Sequence, residues 1–131
     1  MERKALINLS NHPSTGWGDS QRDGWIAIND VRFPRITPEC TTEEAAELVA
    51  KFQKKIRKIS SAYGDDVSIW LHVAGHWLFC HLFIITFDFE NSRISGLAVP
   101  GAGREDDGNN KYKFKFVRWN YINKDYIISS E

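Results

Sequence analysis

Hydrophobic and polar positions divide the chain into segments with two different periods. Lys4 to Leu9 is short and apolar and then breaks into Asn-His-Pro. Pro13 biases His12 away from helical geometry, so this run predicts a strand ending at a turn. "GWGDSQRDGW" predicts a loop with one or two helical turns from about Asp19, weakened by Gly16, Gly18 and Gly24. "WIAINDVRF" alternates as a second strand and closes at a turn region holding Pro34 and Pro38. The period then becomes helical: Thr41 or Thr42 can cap, Glu44 stands in capping-box position to Thr41, and Ala45, Leu48, Val49, Phe52, Ile56 and Ile59 recur on one face. The charged residues between them form a solvated face, and Gly64 with Asp65 and Asp66 ends the helix.

"VSIWLHV" predicts a third strand, broken by Ala-Gly. The following "HWLFCHLFIITFDFE" is too uniformly apolar for period to separate helix from strand, and the alternation of elements around it favours helix. "ISGLAVPG" is expected as a short strand ending in a Gly/Pro loop, and "REDDGNN" as a polar turn. "KYKFKFVRWNYI" closes the chain as a half-exposed strand, with Tyr112, Phe114 and Phe116 on a core-facing side and Lys111, Lys113 and Lys115 on the other. This order implies one α/β domain over residues 1–131, a sandwich with a largely parallel sheet.

Composition narrows the function classes. The 131 residues suffice for a core, and five Trp, eight Phe and four Tyr enrich it in aromatic rings. Seventeen basic residues balance seventeen acidic ones, which leaves no overall field for a polyanion and disfavours duplex nucleic acid. Cys40 and Cys80 match no CxxC spacing and read as reduced thiols of a cytoplasmic protein. The most apolar run, Trp77 to Phe89, is interrupted by His81 and Asp88 and too short to span a bilayer, and no signal-peptide pattern opens the chain, so no membrane association is expected.

Ligands of open α/β sheets bind outside the carboxyl ends of the strands, where strand order reverses. A central first strand would deliver Ser10 to Ser14 to that edge, beside the loops Ala74-Gly75-His76 and Pro100 to Arg104. Hydroxyls of Ser10, Ser14 and Thr15, the Asn11 amide, the His12 and His76 imidazoles, the Arg104 guanidinium, and approachable backbone at Gly75, Gly101 and Gly103 suit an anionic or polyhydroxylated ligand, phosphate foremost. The same Asn-His-Pro-Ser run also serves as a plain turn and helix start. His72, His76, Cys80 and His81 are close in sequence, and His76 and Cys80 would share a helix face, which leaves a metal-dependent hydrolase as a competitor. No zinc signature is matched, so neither metal nor other cofactor is expected. No G-x-S-x-G elbow supports a Ser-His-Asp hydrolase, and the Lys-aromatic ending reads as ordinary sheet patterning before it reads as a base-stacking strand. A further competitor is an interaction protein whose exposed aromatics meet a partner.

"ALINLSNHPSTGW" with Gln21, "INDVRFPRI" before the acidic-capped helix, "LHVAG" and "KFKFVRW" together resemble small prokaryotic proteins of CRISPR and related defence loci. That group is similar to CARF (CRISPR-associated Rossmann fold) domains and ring nucleases, which bind or cleave cyclic oligoadenylates. The resemblance runs over most of the chain, with the first motif its specific part. It implies a Rossmann-like three-layer fold, a cyclic oligonucleotide ligand, metal-independent ring cleavage and a two-fold homodimer. It casts His12 as general acid/base or phosphate donor, Ser10, Asn11 and Ser14 as phosphate and ribose ligands, and Arg104 as electrostatic clamp. His76 stands where the group carries an acidic residue, and "VPGAGR" stands where it has a Ser/Thr-rich loop. A non-catalytic sensor or sponge is the alternative within the same resemblance.

Overall fold

A computed structural model describes residues 2–106, 108 and 112–129. Its elements follow as β1 (Arg3–Ser10), a 3-10 turn (Ser14–Gly16), α1 (Asp19–Arg22), β2 (Trp25–Arg32), α2 (Thr42–Ser61), β3 (Val67–Ala74), α3 (Trp77–Thr86), β4 (Ile94–Asp106), β5 (Tyr112–Asn123) and α4 (Lys124–Ser129). They build an α/β fold around one five-stranded sheet of order β2-β1-β3-β4-β5. β1 to β4 run parallel and β5 is antiparallel to β4. The first strand is therefore interior, as the sequence suggests, and the order reverses between β1 and β3. The chain goes one way from β1 to β2 and the other way from β2 to β3.

Alternation along β1 sorts the two faces of the sheet. Ala5, Ile7 and Leu9 join Ile69 and Leu71 of β3, and Val49 and Ile56 of α2 with Phe79 and Phe83 of α3 close over them. Each such large side chain contributes about 1.5–3 kcal/mol by leaving water. The helix that covers this face starts as the sequence predicts: Thr41 accepts a hydrogen bond from the Glu44 N–H, and the Glu44 carboxylate accepts one from the Thr41 N–H, both at 3.1 Å. The uniformly apolar run resolves as α3, because its Phe79, Cys80 and Phe83 are buried while Trp77, His81 and Ile85 are exposed.

On the opposite face Leu6, Trp70 and Ala98 are covered by Trp17, Trp25, Ile28 and Trp119. Trp25 belongs to β2 and Trp119 to β5, the two outer strands, which in a flat sheet would lie about 19 Å apart. Their ring centroids are 5.7 Å apart, so the sheet curls until its edges meet over this face. The indole N–H of Trp119 then donates to the Gln21 carbonyl of α1 at 2.8 Å, tying the short helix to β5.

One expectation is corrected. Pro100 to Arg104 form no loop: β4 runs on through them, paired with β5 from Gly96↔Asn123 to Asp106↔Tyr112. Pairing with β3 ends at Leu71↔Leu97, so Pro100 lies where β4 has one neighbour and its missing N–H interrupts no second ladder. The closing strand departs from simple alternation too: a register shift falls between Gly101 and Ala102, and Phe114 is exposed instead of core-facing. Asp107, Asn109, Asn110 and Lys111, of the expected turn and closing strand, lie outside the described residues.

Candidate functional site

The carboxyl ends of β1, β2 and β3 border an open cleft of about 850 Å³. Asn11 reaches it from the turn after β1, Arg32, Phe33, Pro34, Arg35 and Ile36 from the end of β2, Phe52 and Lys55 from α2, and His76 from the cap of α3. Topology brings these together: the β1/β3 reversal opens the sheet edge there, which is where ligands of such sheets bind. Phe33 and Phe52 both pack edge-on against the buried Phe79, at 5.0 and 5.6 Å, and make a rigid apolar floor. The Lys55 ammonium stands over the Phe52 ring at 6.0 Å. Gly75 is required beneath this floor, because a Cβ there would meet the Phe33 ring at 2.7 Å.

The ionisable lining is basic throughout, with Arg32, Arg35, Lys55 and His76 and no carboxylate. Among the described residues the only ion pair is Arg3 with Asp66, at the other end of the strands, so Arg32, Arg35 and Lys55 form no ion pair with a described carboxylate. His76 offers the first turn of α3 no side-chain cap, which leaves the positive end of that helix beside the same cleft. The recess on the far side of Arg35 is opposite in character, lined by Glu39, Glu44 and Glu47 with Cys40 and Lys51.

A second polar group lies where β1 hands over to its turn. Asn8, almost fully buried, donates from Nδ2 to Asp30 Oδ1 at 2.9 Å and to the His12 carbonyl at 3.0 Å. Ser10 donates to Asn8 Oδ1 at 2.8 Å and accepts from the His12 N–H at 3.2 Å. Ser14 donates its hydroxyl to Asp30 Oδ2 at 2.7 Å and its N–H to Oδ1 at 3.0 Å. Burial would raise the Asp30 pKa, but the bonds from Asn8 and Ser14, helped by Arg22, hold the carboxyl below its ordinary range. Ser10 and Ser14 are thus buried and internally engaged, clamping the turn whose side chains Asn11, His12 and Thr15 face solvent.

His12 does not line the cleft. It lies near His72, whose Nδ1 meets the Ala98 carbonyl at 3.1 Å and whose ring stands edge-on to Trp119 at 5.6 Å. Burial lowers the His72 pKa; the Ala98 carbonyl opposes that shift and the positive charge of His12 adds to it. His72 is a neutral, hydrogen-bonded core residue. Cys80 is buried and its thiol is pushed up to about 11 by burial, so it is held protonated. Among the described residues no three His, Cys, Asp or Glu side chains gather as a metal site would need.

Of the residues expected at the site, Asn11 and His76 line the cleft and Gly75 supports its floor. Ser10, Ser14, His12 and Thr15 form or border the clamped turn. Gly101, Gly103 and Arg104 lie in the β4–β5 ladder, opposite Arg118, Lys115 and Phe114, and no described contact joins them to the cleft. Sequence reasoning missed Arg32, Arg35, Phe33 and Lys55 in the cleft and Asn8 and Asp30 beneath the turn. The available signal was "RFPR", two arginines bracketing the end of the strand beside β1. Comparison with protein-family models, curated proteins and solved structures finds no match to this chain.

Proposed function

We propose that this chain is a CARF-like, Rossmann-like three-layer domain that binds a cyclic oligonucleotide second messenger of the cyclic oligoadenylate class, as a cytoplasmic homodimer in antiviral defence. The observation that carries the reading is the basic cleft at the strand reversal, where Arg32, Arg35 and Lys55 form no ion pair with a described residue. Cations around an open, partly apolar cavity suit a ligand with several phosphates and flat rings. The resemblance of the opening strand and turn supplies the ligand class. A two-fold dimer would set two such clefts about a symmetric ring.

Binding without cleavage, as a sensor or sponge, is the outcome this geometry favours. The two serine hydroxyls are engaged by Asn8 and Asp30, and His12 is not among the residues lining the cleft. Ring cleavage would need a ribose 2′-oxygen to attack the adjacent phosphorus, its proton passing to a base such as His12. The 5′-oxygen would leave with a proton, and a linear product with a 2′,3′-cyclic phosphate would result. Incubation with cyclic tri- and tetra-adenylate tests both statements. The expected result is a rise in melting temperature with the ring recovered intact by chromatography. No rise with either ring contradicts binding, and a linear product that disappears in His12→Ala contradicts the non-catalytic reading.

A further inference from the structure

The most exposed large hydrophobic side chain of the described residues is Trp77, at 79% of its full accessibility. It is the first residue of α3 and follows His76, which lines the basic cleft. One helical turn on, His81 lies against it with ring centroids 5.6 Å apart and planes only 28° from parallel. The two rings stack on the solvent side of α3, on a helix whose Phe79 and Phe83 are fully buried. The other four tryptophans differ in kind, since Trp17, Trp25, Trp70 and Trp119 cluster over the far face of the sheet.

An exposed indole invites either a protein partner or a ring-bearing ligand; Trp77 is not itself among the residues lining the cleft, and its place next to His76 in the chain favours the second. A nucleotide joins a phosphate to a flat base through one sugar, and the chain joins the basic wall at His76 to the indole at Trp77 through one peptide bond. We infer that Trp77, stacked on His81, is the base-recognition subsite of the cleft, on which an adenine of the bound ring lies while its phosphate is held by Arg32, Arg35 and Lys55. This rests on the anion-binding reading of the cleft and adds the base to it. Stacking is tolerant of base identity, so the subsite supplies affinity for nucleotides over base-free anions.

Two probes separate this inference from the reading on which it rests. Cyclic tetra-adenylate is titrated against inorganic tripolyphosphate, following tryptophan emission and melting temperature, with wild-type protein, Trp77→Ala and Trp77→Phe. Tetra-adenylate is expected to quench the solvent-exposed component of emission, and Trp77→Ala to weaken its binding roughly ten- to a hundred-fold. Trp77→Phe, which keeps a smaller ring, is expected to recover part of the affinity. Tripolyphosphate binding is expected to be the same in all three proteins. Tetra-adenylate affinity unchanged in Trp77→Ala overturns the base subsite and leaves the cleft's anion reading standing. If neither probe binds the wild type, the anion reading itself falls, and the subsite with it. A sedimentation coefficient that drops in Trp77→Ala without ligand would assign the indole to a protein contact instead and overturn the inference.

Discussion

Asp30 organises the turn after β1. Its carboxylate receives Asn8 and Ser14, and Asn8 and Ser10 in turn hold the His12 backbone. A carboxyl held below its ordinary range contributes stability that is present above the unfolded pKa, near 4, and lost as pH falls through the lower folded value. Asp30→Asn is therefore expected to flatten the loss of melting temperature on acidification below about pH 4. His72 adds a loss that begins higher. Its folded pKa lies below the unfolded value of about 6.5, so its contribution is complete above that pH and declines beneath it. His72→Gln should remove the portion of the decline that sets in below about pH 6.5. The two cysteines give a direct check on packing. Cys80 is buried with a raised pKa while Cys40 is partly exposed, so iodoacetamide at pH 8 should label Cys40 alone in native protein and both thiols in denaturant. Labelling of Cys80 in the native state would contradict the placement of α3.

At the scale of elements, the parts set by local chemistry were legible in the sequence. The α2 start follows from the reciprocal Thr41–Glu44 cap, and the interior position of β1 follows from a run apolar on both faces. Both strands were legible, but the continuation of β4 through Pro100 to Asp106 was not, because Pro100, Gly101 and Gly103 carry turn signals that outweigh a strand pattern. At Gly96 the constraint on the pairing is steric: a Cβ there would meet the Ile122 carbonyl at 2.1 Å. Gly96→Ala is accordingly expected to cost about 1–3 kcal/mol and to loosen the β5 pairing, read as a lower denaturation midpoint and faster amide exchange at Leu97 and Ile122. Unchanged stability would show that β4 and β5 do not approach so closely.

At the scale of the molecule, the candidate site is a product of topology that no single segment announces. Ser10 to Ser14 follow the carboxyl end of the interior strand β1, as its central position predicts, but the two serines turn inward to hold the turn. The basic groups come from the end of β2, the middle of α2 and the cap of α3. Lys55 in particular reads in the sequence as one more solvated lysine of an amphipathic helix, and only the crossing of α2 over the sheet places it beside Arg32 and Arg35. A chain with no net charge thus focuses a local positive potential where its strand order reverses. The direct measurement of that claim is the melting temperature of wild type and of the Arg32→Ala/Arg35→Ala double variant, with and without saturating cyclic tetra-adenylate. Ligand at a hundred times its Kd adds about 2.7 kcal/mol to the native state, roughly 10 °C for a domain of this size, and the double variant should retain its own melting temperature while losing most of that rise. An equal rise in both proteins, or none in the wild type, would contradict the account.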